Sequence, residues 1–443
     1  MNKLFTILLL LPTLVSASEY LVPINNDGYQ LYSMPYKTVC AGDSCYYVVD
    51  RETAESLVDS GAADSYEESV PRYLYATNDE HFSEQWALRS SGINWQGGEA
   101  LMSSATGSPV AAIIDSGIVR HNDLDESAIY DKLSVFNITP TDMEGHGTVV
   151  AGIIAATNNN AFGIAGVNYG KGRILPIKAT RDAANTFNSI DVIEAIGFVL
   201  NQYANGAPIV AVNMSFGGGR ASEAEFRAFS ALKEAGIIVV AAAGNDMADM
   251  DNPSTRSYPA EYNLDNIITV AALSEELNLS SYSNYGGTTA IAAPGDRILS
   301  LDHINNGFVI SSGTSMAAPF VTGVLLAGQA LNPTLTAAQL MNILYDSADN
   351  TLELKNYVKQ GRRINVGAFL EQVNQCRYGC AVSSVFPDKG GYDLLPPPDR
   401  EESSSSDSGW GCSMTGTGGG RWDLVWLIVP IMIVLRRSYK RTY

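Results

Sequence analysis

S-S-G-T-S-M-A-A-P-F-V-T-G, residues 311–323, crowds three serines and two threonines against small apolar residues. From Met316 the apolar character runs on through M-A-A-P-F-V-T-G-V-L-L-A-G-Q-A-L, which reads as a helix buried nearly all round. Pro319 reads as lying in or near its first turn, where backbone N–H groups have no helical partner. A helix start favours anionic chemistry, because the free N–H groups and the dipole point at it. Ser315 stands at that start, while Ser311 and Ser312 lie on the approach before Gly313. The pattern therefore prefers Ser315 as a nucleophile, with Thr314 and the earlier serines shaping the turn.

Outward from this stretch, short Val-, Ile- and Ala-rich runs recur: V-A-A-I-I at 110, R-I-L-P-I-K-A at 173, P-I-V-A-V-N-M at 208, I-I-V-V-A-A-A at 237 and I-I-T-V-A-A at 267. Unbroken apolar runs suit strands buried on both faces of a parallel sheet. Helical patterns separate them at 148, 189 and 222. Alternation of this kind predicts an α/β, doubly wound, mainly parallel sheet with helices on both faces. Functional groups then belong at the carboxyl ends of the strands.

Three further residues stand at strand or helix ends. Asp115 follows V-A-A-I-I, a rigid and partly desolvated position suited to orienting a histidine; an Asp there also serves as a turn or helix cap. His146 lies between two glycines in E-G-H-G-T-V-V-A-G, at the start of a tightly packing helix. It suits a general base or a structural cap. Asn245 follows Gly244 at the end of I-I-V-V-A-A-A. Its amide suits a developing oxyanion, and Gly-Asn is equally a common turn pair.

Taken together, I-I-D-S-G-I, G-H-G-T-V-V-A-G, N-M-S-F-G-G, A-A-A-G-N and G-T-S-M-A-A-P-F-V-T-G resemble the subtilisin-like serine proteases, the subtilase family. N-D-E-H-F-S-E-Q-W-A-L, F-G-I-A-G-V-N and I-L-P-I-K-A extend the likeness over residues 77–374. The chain order Asp, His, Ser is the subtilisin order. The resemblance implies Ser315 as nucleophile, His146 as base, Asp115 as its orienting partner and Asn245 as oxyanion donor. It implies that Ser215, Phe216, Gly217, Gly218 and Gly244 bind substrate. No cofactor is needed for the chemistry. A structural calcium ion near Asp123 and Asn159 is a further expectation. Val149 departs from the second histidine that often follows His-Gly-Thr, at a position outside the triad.

The ends carry other signals. Residues 1–17 read as a signal peptide cleaved by signal peptidase after Ala17, because a short apolar run ends in V-S-A. Residues 18–75 read as a small α+β unit, matching the family's propeptide, with cleavage expected near Tyr75. Residues 375–411 read as a Cys loop and a Pro/Ser-rich linker. Residues 412–443 combine a Gly/Cys stretch, an apolar run from Leu424 to Leu435 and a basic cluster. That run spans about 18 Å as helix against a bilayer core of roughly 30 Å. The layout resembles a bacterial sorting signal cut by a membrane enzyme; a retained membrane anchor is the alternative. Five cysteines allow local pairs Cys40–Cys45 and Cys376–Cys380, leaving Cys412 over.

Asp and Glu number 47 against 28 Lys and Arg, a net charge of −19, which argues against nucleic acid as a partner. The expected function is an exported, surface-attached serine endopeptidase acting on protein or peptide substrates. The alternatives are a catalytically silent binding protein on the same fold and a dedicated processing protease with one target.

Overall fold

The computed structural model describes residues 20–23, 37–41, 44–49, 51–60, 67–68 and 77–389, apart from 90, 137, 182–185 and 380. The expected signal peptide, the junction near Tyr75, Cys380, the Pro/Ser-rich stretch from 390 and the tail lie outside these residues.

Near the N-terminus four strands form an antiparallel sheet: β1 (Tyr20–Pro23), β2 (Lys37–Ala41), β3 (Ser44–Val49) and β4 (Glu67–Glu68), in the order β2-β3-β1-β4. Cys40 and Cys45 are register partners across β2 and β3. Helix α1 (Arg51–Asp59) follows β3.

The large sheet holds β5 (Val110–Asp115), β6 (Leu133–Ser134), β7 (Arg173–Lys178), β8 (Ile209–Met214), β9 (Ile238–Ala242), β10 (Ile267–Leu273), β11 (Ile291–Pro294), and the short strands β14 (Asp349–Asn350) and β15 (Arg362–Arg363). Its order is β14-β15-β11-β10-β9-β8-β5-β7-β6. Every pairing is parallel except β14 with β15. Strands β12 (Ile298–Leu301) and β13 (Phe308–Ser311) make a separate hairpin. The five apolar runs are β5, β7, β8, β9 and β10. The chain turns from one side of β5 to the other between β7 and β8. A crevice therefore opens at the carboxyl end of β5, the place where doubly wound sheets bind ligands.

Side chains alternate across the sheet, because successive residues of a strand point to opposite faces. Ala111, Ile113, Ala211, Val240 and Val270 pack with α3 (His146–Ala155) and α6 (Thr314–Leu331). Val110, Ala112, Ile114, Val212, Val239 and Ala241 pack with α4 (Ser189–Ala204) and α5 (Glu223–Glu234). This is the doubly wound, mainly parallel arrangement expected. By length and composition α6 would also suit a membrane span, but 89% of it is buried, which makes it a core helix. Asn188 caps α4 and Ser222 caps α5, each side chain accepting a first-turn N–H. The remaining helices are α2 (Glu99–Met102), α7 (Ala337–Asp346) and α8 (Val366–Gln375). Beyond α8, Cys376 is disulfide-bonded.

Candidate active site

Strand β5 is buried along its whole length and delivers Asp115 to the crevice, 4% exposed. Asp115 Oδ1 accepts from His146 Nδ1 at 2.7 Å and from the Ser116 N–H at 2.7 Å. His146 is the first residue of α3, with 36% of its side chain exposed to the cleft. Gly147 allows this approach: a Cβ there would stand 2.1 Å from Gly117 O. The negative charge of Asp115 pushes the His146 imidazole up to about 8. Burial opposes the shift; the Asp115 hydrogen bond and the charges of Asp142 and Glu144 reinforce it.

Asp142 is a residue that sequence reasoning missed. It is 2% exposed. Its Oδ1 accepts from Ser116 Oγ at 2.8 Å and from the N–H groups of Glu144 and Gly145 at 3.0 and 2.9 Å. Its Oδ2 accepts from Thr148 N–H and Oγ1 at 2.9 and 2.7 Å. Burial by itself would push this carboxyl up; the hydrogen bonds outweigh it and hold the pKa below the usual carboxylate range. The signal was an Asp four residues before the histidine at a helix start, where carboxylates complement free N–H groups.

Ser315 is the second residue of α6. Pro319 is its sixth, in the second turn and not the first. A proline there removes the N–H that would bond Ser315 O. Ser215 Oγ supplies the replacement, donating to Ser315 O at 2.7 Å. In return Ser315 Oγ donates to Ser215 O at 3.0 Å. The Ser315 hydroxyl thus rests on a backbone carbonyl just beyond β8, the strand next to β5. Asn213 Nδ2 donates to Ser215 Oγ, and Thr322 Oγ1 donates to Asn213 Oδ1, both at 2.9 Å, which ties β8 to α6.

Asn245 lies beyond β9. Its Oδ1 accepts from Thr314 N–H at 2.8 Å and from Thr314 Oγ1 at 3.0 Å. A backbone N–H only donates, so Oδ1 must face Thr314 and Nδ2 is turned the other way. Thr314 Oγ1 also accepts from Gly244 N–H at 3.1 Å. Thr314 therefore orients the amide that the sequence assigns to the oxyanion.

Asp115, His146, Ser215 and Phe216 line one cleft of about 420 Å³, with Met143 and Phe187 among its apolar walls. Phe187 meets Phe216 edge to face at 4.6 Å. Gly218 is committed elsewhere: its N–H and C=O both bond the Tyr258 backbone, at 2.9 and 2.8 Å.

Asp123 is fully buried, and burial pushes its carboxyl up to about 7. Its oxygens accept from Asn160 Nδ2 at 2.8 Å and Ile164 N–H at 2.7 Å. Asn159 is turned elsewhere, its Oδ1 accepting from Asn78 N–H at 3.2 Å. A calcium cage needs six to eight oxygens facing one point. Among the described residues, no group of three or more His, Cys, Asp or Glu is placed to hold a metal ion. As placed, Asp123 is satisfied by N–H donors and does not fit that cage with Asn159.

The subtilase family profile matches residues 107–368. An extracellular protease of Xanthomonas campestris pv. campestris is 34% identical over 353 residues, covering 68% of this chain and 58% of that protein. A thermophilic serine proteinase of Bacillus sp. (strain AK1) is 36% identical over 256 residues, covering 57% of this chain and 59% of that protein. The chain thus spans just under three fifths of the length of these relatives. Among solved structures, a protease from Pseudoalteromonas arctica superposes with a TM-score of 0.57 at 25% identity, covering 67% of this chain and 99% of that one. The matched region takes in β5, the starts of α3 and α6, and Asn245, over more than half of the chain, and the protein belongs to the subtilase family.

Proposed function

We propose that the protein is an exported serine endopeptidase. The observation that carries this reading is the 2.7 Å pair of Asp115 and His146 at the carboxyl end of β5, lining one cleft with Ser215, which bonds Ser315 at the start of α6. Ser315 Oγ leaves Ser215 O, transfers its proton to His146 Nε2 and attacks the substrate carbonyl. His146 then gives that proton to the leaving amine, and water releases the acyl group by the same route. Asp115 fixes the tautomer by accepting from Nδ1. Asn245 Nδ2 and the Ser315 N–H receive the oxyanion. An extended substrate would lie along Ser215 to Gly217 as an added strand. Phe216, with its aromatic partner Phe187, forms an apolar wall for it.

Residues 18–75 act in this proposal as a propeptide removed near Tyr75. Signal peptidase removes residues 1–17. The tail from 412 to 443 holds the enzyme at the membrane or passes it to a sorting enzyme. Calcium has no part in the chemistry. A chelator is expected to leave both kcat and Tm unchanged, and a lowered Tm would restore the ion at Asp123 as a structural element.

Casein hydrolysis by the full chain, wild type beside Ser315→Ala, tests the main proposal, with the N-terminus read by mass spectrometry. Hydrolysis and self-cleavage near residue 75 are expected in the wild type alone. An inert, folded wild type would overturn the general endopeptidase and favour the single-target or silent reading.

A further inference from the structure

The chain does not leave the domain after α8. Val382 and Phe386 pack against the main core. Asn342 Nδ2 donates to Ser383 O at 3.0 Å and to Val385 O at 2.9 Å. Lys359 Nζ donates to Asp388 O at 2.8 Å and to Lys389 O at 3.0 Å. Residues 381–389 are therefore a strap fixed at several points.

The strap ends on a buried cation. Lys389 is 6% exposed. Its Nζ donates to Ala260 O and, at 2.9 Å, to Tyr262 O. Burial pulls its pKa down to about 8, while Glu261 and Asp265 hold it up and Lys359 works with burial. An ammonium is costly to bury, and two carbonyls plus nearby carboxylates offset that cost.

The carbonyls it grips belong to the turn 257–262, and that turn meets the substrate-binding glycines. Tyr258 exchanges two backbone hydrogen bonds with Gly218. A Cβ on Gly217 would stand 2.4 Å from Ser257 Oγ, and one on Gly244 3.7 Å from it. Ser257 thus reaches in between Gly217 and Gly244, two of the residues that the resemblance assigns to substrate binding. The turn is closed by Glu261 N–H on Ser257 O at 2.9 Å and Tyr262 N–H on Pro259 O at 3.1 Å. Its far side is held by Tyr262 Oη, which accepts from Ser222 N–H at 2.9 Å. Thr269 Oγ1 also donates to Ala260 O, at 2.7 Å, and Lys389 adds a charged donor to the Ala260 and Tyr262 carbonyls.

We propose that Lys389 is a positioning residue for substrate: through Ala260 and Tyr262 it clamps the turn that sets Ser257 and Tyr258 against Gly217, Gly218 and Gly244. This rests on the endopeptidase reading. The clamp acts on the side-chain pocket and leaves Asp115, His146 and Ser315 untouched. It should therefore alter KM and selectivity without altering the reactivity of the serine.

The full chain is compared as wild type, Lys389→Met and Lys389→Arg. Two peptide substrates are used, differing only in the residue before the scissile bond, glycine or a large apolar one. Lys389→Met is expected to raise KM for the large residue about tenfold, the size of one hydrogen bond to a charged group. kcat should stay within about twofold, KM for glycine should barely move, and Lys389→Arg should restore the wild-type value. The rate at which a small fluorophosphonate labels Ser315 should be the same in all three. Should Lys389→Met fail to fold, Lys359→Met loosens the strap from the other side and is expected to shift KM in the same direction. Unchanged KM in every variant overturns the clamp. So does a parallel loss of kcat and labelling, which marks a purely structural lysine. A wild type that the probe does not label overturns the peptidase reading itself.

Discussion

Helices α3 and α6 each begin beside a candidate catalytic side chain, and they treat their free N–H groups in opposite ways. At α3 a buried carboxylate absorbs them: Asp142 takes the Gly145 and Thr148 N–H groups, and Ser116 Oγ takes that of Gly147. At α6 the caps are neutral: Asn245 Oδ1 takes the Thr314 N–H and Gly313 O takes that of Met316. Among the described residues the Ser315 N–H has no partner. The first helix start is saturated with negative charge, which suits a histidine that must carry a proton. The second keeps an unspent donor, which suits the oxyanion that the proposed attack by Ser315 would create.

The harshest way to break this contrast is Ser315→Ala or His146→Ala. Each is expected to lower kcat about 10⁶-fold, a figure taken from the relative subtilisin, with little change in KM. Steady-state kinetics on one peptide would show it. Next comes Asn245→Ala, which removes one oxyanion donor at the α6 start. A loss of about 10²–10³ in kcat is expected, again on the subtilisin scale. A loss confined to KM would mean that Nδ2 does not face the oxyanion.

Asp142→Asn tests the α3 side. It replaces an acceptor facing N–H groups with a partial donor, so folding stability should fall by about 3 kcal/mol in urea denaturation. The displaced histidine should also cost roughly tenfold or more in kcat. Because the Asp142 charge helps raise the His146 pKa, the alkaline-rising limb of kcat/KM should move to lower pH. In the wild type that limb should climb through about pH 8, since only neutral His146 accepts the serine proton. Stability runs the other way. A folded pKa of about 8 above the ordinary 6.5 stabilises the protonated form. That contribution is complete below about 6.5 and lost as pH rises through about 8. Glu144→Gln should give the smallest effect, a slight acid shift of the same limb with stability nearly unchanged.

Much of this was legible before any coordinates. The apolar runs at 110, 173, 208, 237 and 267 are strands because nothing else buries such short, unalternating segments well. Asp115, His146, Asn245 and Ser315 each followed from a position at a strand or helix end. The short strands β6, β14 and β15 were not legible, because two residues carry no period. Asp142 was missed because its partners come from two elements. Residues 381–389 show no periodicity, and their hold on the domain comes from side chains of Asn342 and Lys359 that are distant in sequence.

Fold class, the order of the candidate catalytic residues and the helix that carries Ser315 are readable from the chain, because they depend on local pattern and chain order. Only the tertiary structure decided that Ser215 and Ser315 exchange hydrogen bonds around Pro319, that Thr314 turns the Asn245 amide, and that Lys389 ends beneath the turn at Tyr258. Each of those rests on a polar group of one element meeting an unsatisfied group of another. Such pairings are set by how elements pack, and no stretch of the chain contains both partners.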